Sequence, residues 1–323
     1  MMQVLRGLQL AIVSMLSLTV WLFLDLQPVA AHDGVPLAPE DLMQAWQWHP
    51  LLLVGLATVA WLYSQGVKIV WWRSGVGQGI TPWQALAFNG GLAVLFLAFI
   101  SPLDALSSDL FIAHMAQHLF LLLVAAPLLV LGNAPVALAW ALPKWMQRRL
   151  GYWWRQQSDL HLIGRLFLRP GMIWGVHLAA LWLWQVPYVY KVARHDPIVH
   201  VGQHAILLVA AMLFWQLLFS SKRNDLLPVA VTLRFVATTA FAGVLLGLLI
   251  TFVPTLWYPV YTPTALHWGL TAIADQQIAG VILASSMGLV YFGIAVAYWR
   301  TWRHSRRAAT SQQQIHLANA PVQ

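Results

Sequence analysis

Two pairs of histidines interrupt stretches of this chain that otherwise read as hydrocarbon: HMAQH at 114–118 and HVGQH at 200–204. Residues i and i+4 share a helix face, so each motif would present two imidazoles side by side. Ionisable side chains are expensive inside lipid and mark sites or pathways where they occur. Neutral imidazole ligates copper, zinc, iron or nickel, and copper heads the divalent affinity order. A single histidine in such a run reads as an interhelical hydrogen-bonding residue, whereas His114, His118, His200 and His204 together read as a ligand set. His49 is positioned to join them. Met115 either adds a thioether suited to Cu(I) or simply packs. Asp275, in ADQQIAG, reads as an ion-paired or helix-start carboxylate, or as a support for the site alongside Gln276 and Gln277.

Other chemistry is excluded or unsupported. The chain has no cysteine, which removes thiolate metal sites, iron–sulfur clusters and disulfides. No activated serine, no paired acid/base carboxylates and no phosphate-binding loop are evident, since the glycines of RSGVGQGI fall in a short connection rather than a strand-to-helix turn. The reading is therefore not an enzyme. The net charge of +8 reflects basic loops, and nothing resembles a nucleic-acid module.

What must position these side chains is a membrane bundle. Of 323 residues, 60% are hydrophobic and 9% charged, with mean hydropathy +0.68, a composition outside the soluble range. The expected fold is all-α: a polytopic membrane helix bundle with seven transmembrane helices after an N-terminal signal peptide or anchor over 1–31. The spans are expected at 50–72, 83–102, 110–131, 171–190, 198–219, 229–252 and 270–299, within a domain covering 32–302. A polar cytoplasmic tail, expected to be disordered, covers 303–323. Lys and Arg concentrate in loops on one side of this arrangement, which predicts an outer N-terminus and a cytoplasmic C-terminus. Both histidine pairs then lie near the outer ends of their spans. The nineteen Trp fall largely at span ends, as an interfacial belt.

Four segments together resemble the polytopic CtaG family of cytochrome c oxidase assembly factors. They are SPLDALSSDLFIAHMAQHLFLLLVAAPLLVLGNAP (101–135), VHVGQHAILLVAAMLFWQLL (199–218), WYPVY (257–261) and ADQQIAG (274–280). The resemblance implies a seven-helix protein of the bacterial inner membrane that helps copper reach the oxidase. The matching positions are His49, Asp104, His114, His118, His200, His204, Asp275, Gln276 and Gln277. An unrelated single-span copper chaperone that has shared this label works through cysteines, and a cysteine-free chain cannot use its chemistry. The implied partners are an oxidase subunit or a copper donor protein, with membrane lipid around the bundle. Two alternatives stay open at this point: a bis-histidine haem-binding redox protein, and a copper transporter.

Overall fold

The computed structural model describes residues 37–156, 169–224 and 227–318. The expected signal peptide or anchor over 1–31 lies outside the described residues. Among the described residues the protein is helical throughout, without strands. The principal helices are α1 (Pro50–Ser74), α2 (Pro82–Ile100), α3 (Pro102–Asp109), α4 (Phe111–Leu131), α5 (Ala134–Ala141), α6 (Lys144–Gln156), α7 (Pro170–Leu183), α8 (Pro187–His195), α9 (Pro197–Asn224), α10 (Val229–Phe252) and α11 (Ala272–Ala318).

Prolines set many of these starts. α1, α2, α3, α7, α8 and α9 each begin on a proline, whose missing N–H is unneeded in the first turn and whose φ is already helical. Thr81 and Gln84 add a reciprocal capping box to α2, and Asp196 Oδ1 accepts from Ile198 N and Val199 N at the head of α9.

Among the described residues, six helices are long and apolar enough to cross a bilayer: α1, α2, α4, α9, α10 and α11. Where the sequence predicts a fourth span at 171–190, the chain forms the shorter apolar α7 of 14 residues, about 21 Å long. Pro187 accounts for the interruption. It disfavours a helical conformation at the residue before it, and Val186 is extended at φ −63°, ψ 124°. The tail differs from expectation too, because α11 runs on through Ala318. The segment RHSRRAATSQQQIHLA contains no Pro or Gly and is rich in the helix formers Arg, Ala and Gln.

Hydrogen bonds and contacts fix which helix ends lie together. His49 at the head of α1 meets Asp104 of α3. Asp275 at the head of α11 bonds the head of α4, and Gln185 just beyond α7 reaches Met115. Both histidine pairs therefore belong to one end of the bundle. Arg73, which lies 5.0 Å over the Trp140 ring, Arg169 and Arg300 belong to the other.

α10 and α11 pack antiparallel through small residues, as membrane helices do where backbones approach closely. A Cβ on Gly247 would sit 2.6 Å from the Gly280 carbonyl oxygen and 2.5 Å from the Ala284 nitrogen. α4 instead carries an irregularity, a π-helical turn over Phe120–Ala125 immediately after His118. In that register the Leu122 carbonyl would accept from residue 127, but Pro127 has no N–H. The Trp215 indole of α9 donates to the Leu122 carbonyl instead, at 2.8 Å. Pro127 is thus accommodated by a π-turn, strutted from the helix that carries the second histidine pair.

Candidate metal centre

Each helix that carries a histidine pair starts from a carboxylate-capped turn. α9 begins three residues before His200 and is capped by its own Asp196. α4 begins three residues before His114 and has no cap from its own chain neighbourhood. Its first two amides donate instead to Asp275, Phe111 N to Oδ2 at 2.7 Å and Ile112 N to Oδ1 at 2.9 Å. A helix N-terminus carries unpaired amides and partial positive charge, so a carboxylate there is favoured twice over. The result is that the two pairs stand at the same level on neighbouring helices.

The four imidazoles meet. Ring centroids lie 4.4 Å apart for His114–His118 and 4.6 Å for His200–His204. Across the two helices they are 5.1 Å for His118–His204, 5.5 Å for His114–His200 and 5.6 Å for His114–His204. His114, His118 and His204 are almost wholly buried, and each offers a ring nitrogen within 4.8 Å of the other two. His200 is half-buried at the edge of the group. A metal with nitrogen bonds of about 2.0–2.1 Å spans at most about 4.2 Å between two ligands. Three nitrogens on one such ion lie about 3.5 Å apart, so bringing the rings onto it needs them to close on one another by up to about 1.3 Å.

Ligand readiness shows in the hydrogen bonds. Neither ring nitrogen of His114 or His118 has a hydrogen-bond partner from the described residues, nor does Nε2 of His200 or His204. Buried polar atoms are rarely left so. His204 Nδ1 lies 3.1 Å from the His200 carbonyl oxygen. A carbonyl can only accept, so Nδ1 carries the proton and Nε2 keeps its lone pair.

Around this centre the other expected residues sort by contact. His49 lies at the rim, its Nε2 3.8 Å from Asp104 Oδ2, outside the three-nitrogen group. Asp104 Oδ1 accepts from Gln117 Nε2 at 2.8 Å, and Gln117 also donates to the Ala98 carbonyl at 2.7 Å. Asp104 thus links the rim to the residue between the paired histidines of α4. Met115 points elsewhere, its Sδ accepting from Gln185 Nε2 at 3.5 Å. Gln276 pins the 253–261 segment, accepting from Trp257 N at 2.7 Å and donating to the Thr255 carbonyl at 3.3 Å. Gln277 is exposed, and its backbone carbonyl accepts from Thr251.

An aromatic roof covers the group from the end of the bundle. Tyr190 stands edge-on to His114 at 5.4 Å and its hydroxyl meets that of Tyr261 at 2.5 Å. Tyr258 stacks on Phe111 at 4.1 Å and donates to the Gln185 carbonyl at 2.8 Å. Burial raises the pKa of the Tyr258 and Tyr261 phenols, so both remain neutral donors near pH 7. Arg194 lies 5.5 Å over the Tyr261 ring and donates to the Ser108 carbonyl.

Sequence reasoning passed over Gln117, Gln203 and Tyr190. The signal for the first two was present: both motifs read H-x-x-Q-H, with glutamine directly before the second histidine. Tyr190 gave none, because its role depends on the break before α8.

Among known proteins, a family model described as cytochrome c oxidase caa3 assembly factor (Caa3_CtaG) matches residues 61–305. That range includes the four histidines, Asp104 and Asp275 but not His49. No curated protein matches, and no solved structure matches.

Proposed function

Because the chain belongs to the cytochrome c oxidase caa3 assembly factor family, we propose that it binds copper as cargo and passes it to an oxidase subunit. His114, His118 and His204 are the ligands in this reading, with His200 completing or exchanging at the edge. The single observation that carries it is the set of converging buried ring nitrogens without a hydrogen-bond partner among the described residues. Imidazole suits copper in either oxidation state, and handing an ion from one imidazole set to another breaks no covalent bond and needs no cysteine. The role is accordingly non-catalytic. Asp104 with Gln117 holds the α4 pair in place, and His49 at the rim is the first imidazole an incoming ion meets.

The haem alternative fits this packing poorly. Rings whose centroids lie 4.4–5.6 Å apart would have to part to admit a macrocycle between them. Membrane placement follows the charge pattern: the basic end faces the cytoplasm of a bacterial inner membrane and the histidine end faces outward. Copper would be received and released on that outer face.

The test is Cu(I) retention by the full-length protein purified in detergent under anaerobic conditions. About one ion per chain is expected. His114→Ala, His118→Ala and His204→Ala should each weaken binding by more than about 100-fold, beyond the usual loss of an outer-sphere partner. Copper no higher than buffer background would overturn the proposal. So would unchanged oxidase copper content when all four histidines are alanine.

A further inference from the structure

Beyond the histidine group, several polar side chains are buried in the apolar body of the bundle without a partner among the described residues. They are Gln203 (both amide atoms), Trp184 Nε1, His177 Nδ1, Thr239 Oγ1 and Thr232 Oγ1. Gln203, His177, Thr239 and Thr232 are each no more than 1% exposed, and Trp184 is 8% exposed. The threonines are informative by contrast. Ser64, Ser74, Thr238, Thr251 and Ser285 all turn back to donate to the carbonyl one turn earlier, the usual refuge of a hydroxyl in a membrane helix. Thr232 and Thr239 do not.

These groups fall in order along the bundle. Gln203 sits between the paired histidines of α9. His177 of α7 stacks on Phe214 at 4.6 Å, ten residues further along α9 than His204 and so about 15 Å deeper. Trp184 lies between these levels, seven residues from His177 and about 10 Å above it. His177 Nε2 is 3.5 Å from the Tyr291 hydroxyl of α11. The antiparallel contacts Gly247–Ala284 and Gly243–Met287 continue one turn to bring Thr239 level with Tyr291. Thr232 follows about 10 Å beyond, in the first turn of α10 at the basic end. From Gln203 to Thr232 the file covers about 25 Å, most of a hydrocarbon core of about 30 Å.

We infer that this file is a hydrated proton path between the histidine chamber and the basic end of the bundle. Buried polar atoms without protein partners are where internal water is held, each molecule needing two to four such groups. Imidazole, hydroxyl and water pass protons along one another. The same groups make a poor metal route, because below the chamber they offer one imidazole and no carboxylate. The half-buried His200 opens the chamber toward the surface, and Thr232 ends the file near the other. A use for the path follows from ligand chemistry: an imidazole that takes a metal gives up any proton it carries, and this file leads that proton away. The path itself does not depend on which ion, if any, the chamber binds.

The test is voltage-driven proton flux into metal-free vesicles holding the full-length protein, a potassium gradient with valinomycin and a trapped pH dye. Vesicles with the protein should acidify several-fold faster than protein-free vesicles. Tyr291→Phe and Thr239→Val, both near-isosteric, should each slow the flux by about fivefold or more, the rate equivalent of one lost hydrogen bond. His177→Phe should abolish it. Helix content and thermal unfolding confirm that each variant is folded. Flux no faster than in protein-free vesicles overturns the inference, as does wild-type flux in both conservative variants. Copper retention on the same preparations reports separately on the histidine centre.

Discussion

At the scale of single residues, the centre depends on side chains that never touch the imidazoles. Asp275 is the main case. Its carboxylate takes the first two amides of α4, and hydrogen bonds to a charged group are worth about 1.5–3 kcal/mol each. Asp275→Ala is expected to lower unfolding stability in detergent by about 2–3 kcal/mol and to weaken metal binding by letting the head of α4 fray. Asp275→Asn, which keeps one good acceptor, should lose about half as much. Equal metal binding in the alanine variant would detach the cap from the site. The histidines were legible in the sequence because imidazoles in an apolar run conflict with their surroundings, and the i, i+4 spacing declares a shared face. Asp275 was legible as an ion-paired or helix-start carboxylate, or as a support for the site. That it caps a helix 164 residues away is a tertiary fact with no local signature. Gln277, two residues further on, faces outward, since two steps along a helix turn the side chain by about 200°.

At the scale of elements, the π-turn in α4 and the Trp215 strut form a unit. Trp215→Phe leaves the buried Leu122 carbonyl unpaired, expected to cost about 1–3 kcal/mol. Pro127→Ala supplies the missing backbone N–H, so the same Trp215→Phe change should cost less in that background. A double-mutant cycle measured by thermal unfolding reads the coupling directly, and strictly additive effects would contradict the strut. Most helices were legible from hydropathy and from prolines that stand at their starts. The break within the expected fourth span was not, because the run continues through Trp184 to Val189 while Pro187 interrupts the backbone within it. The last helix was underestimated for the opposite reason: a polar composition suggested disorder where helix-forming residues carry the element on to Ala318.

At the scale of the whole molecule, the paired histidines lie at one end, with Arg194 above them, and Arg73, Arg169 and Arg300 lie at the other, so orientation in the membrane decides which compartment the centre serves. The cysteine-free chain is a ready background for labelling. Met43 is 77% exposed at the histidine end, and Val76 is 75% exposed at the other. With Met43→Cys, an impermeant maleimide should label intact spheroplasts. With Val76→Cys it should label only after permeabilisation, and the reverse pattern would invert the proposed topology. The contact between Asp275 and the head of α4 also has a meaning for biosynthesis. At about 5–20 residues per second, a ribosome needs roughly 10–30 seconds to travel from Phe111 to Asp275. Throughout that interval the first histidine helix waits with its leading amides unclaimed. The cap is supplied by α11, so a chain cut short before it carries all four histidines yet lacks the carboxylate that takes the first amides of α4. In the proposed reading, holding an ion therefore waits on the arrival of α11.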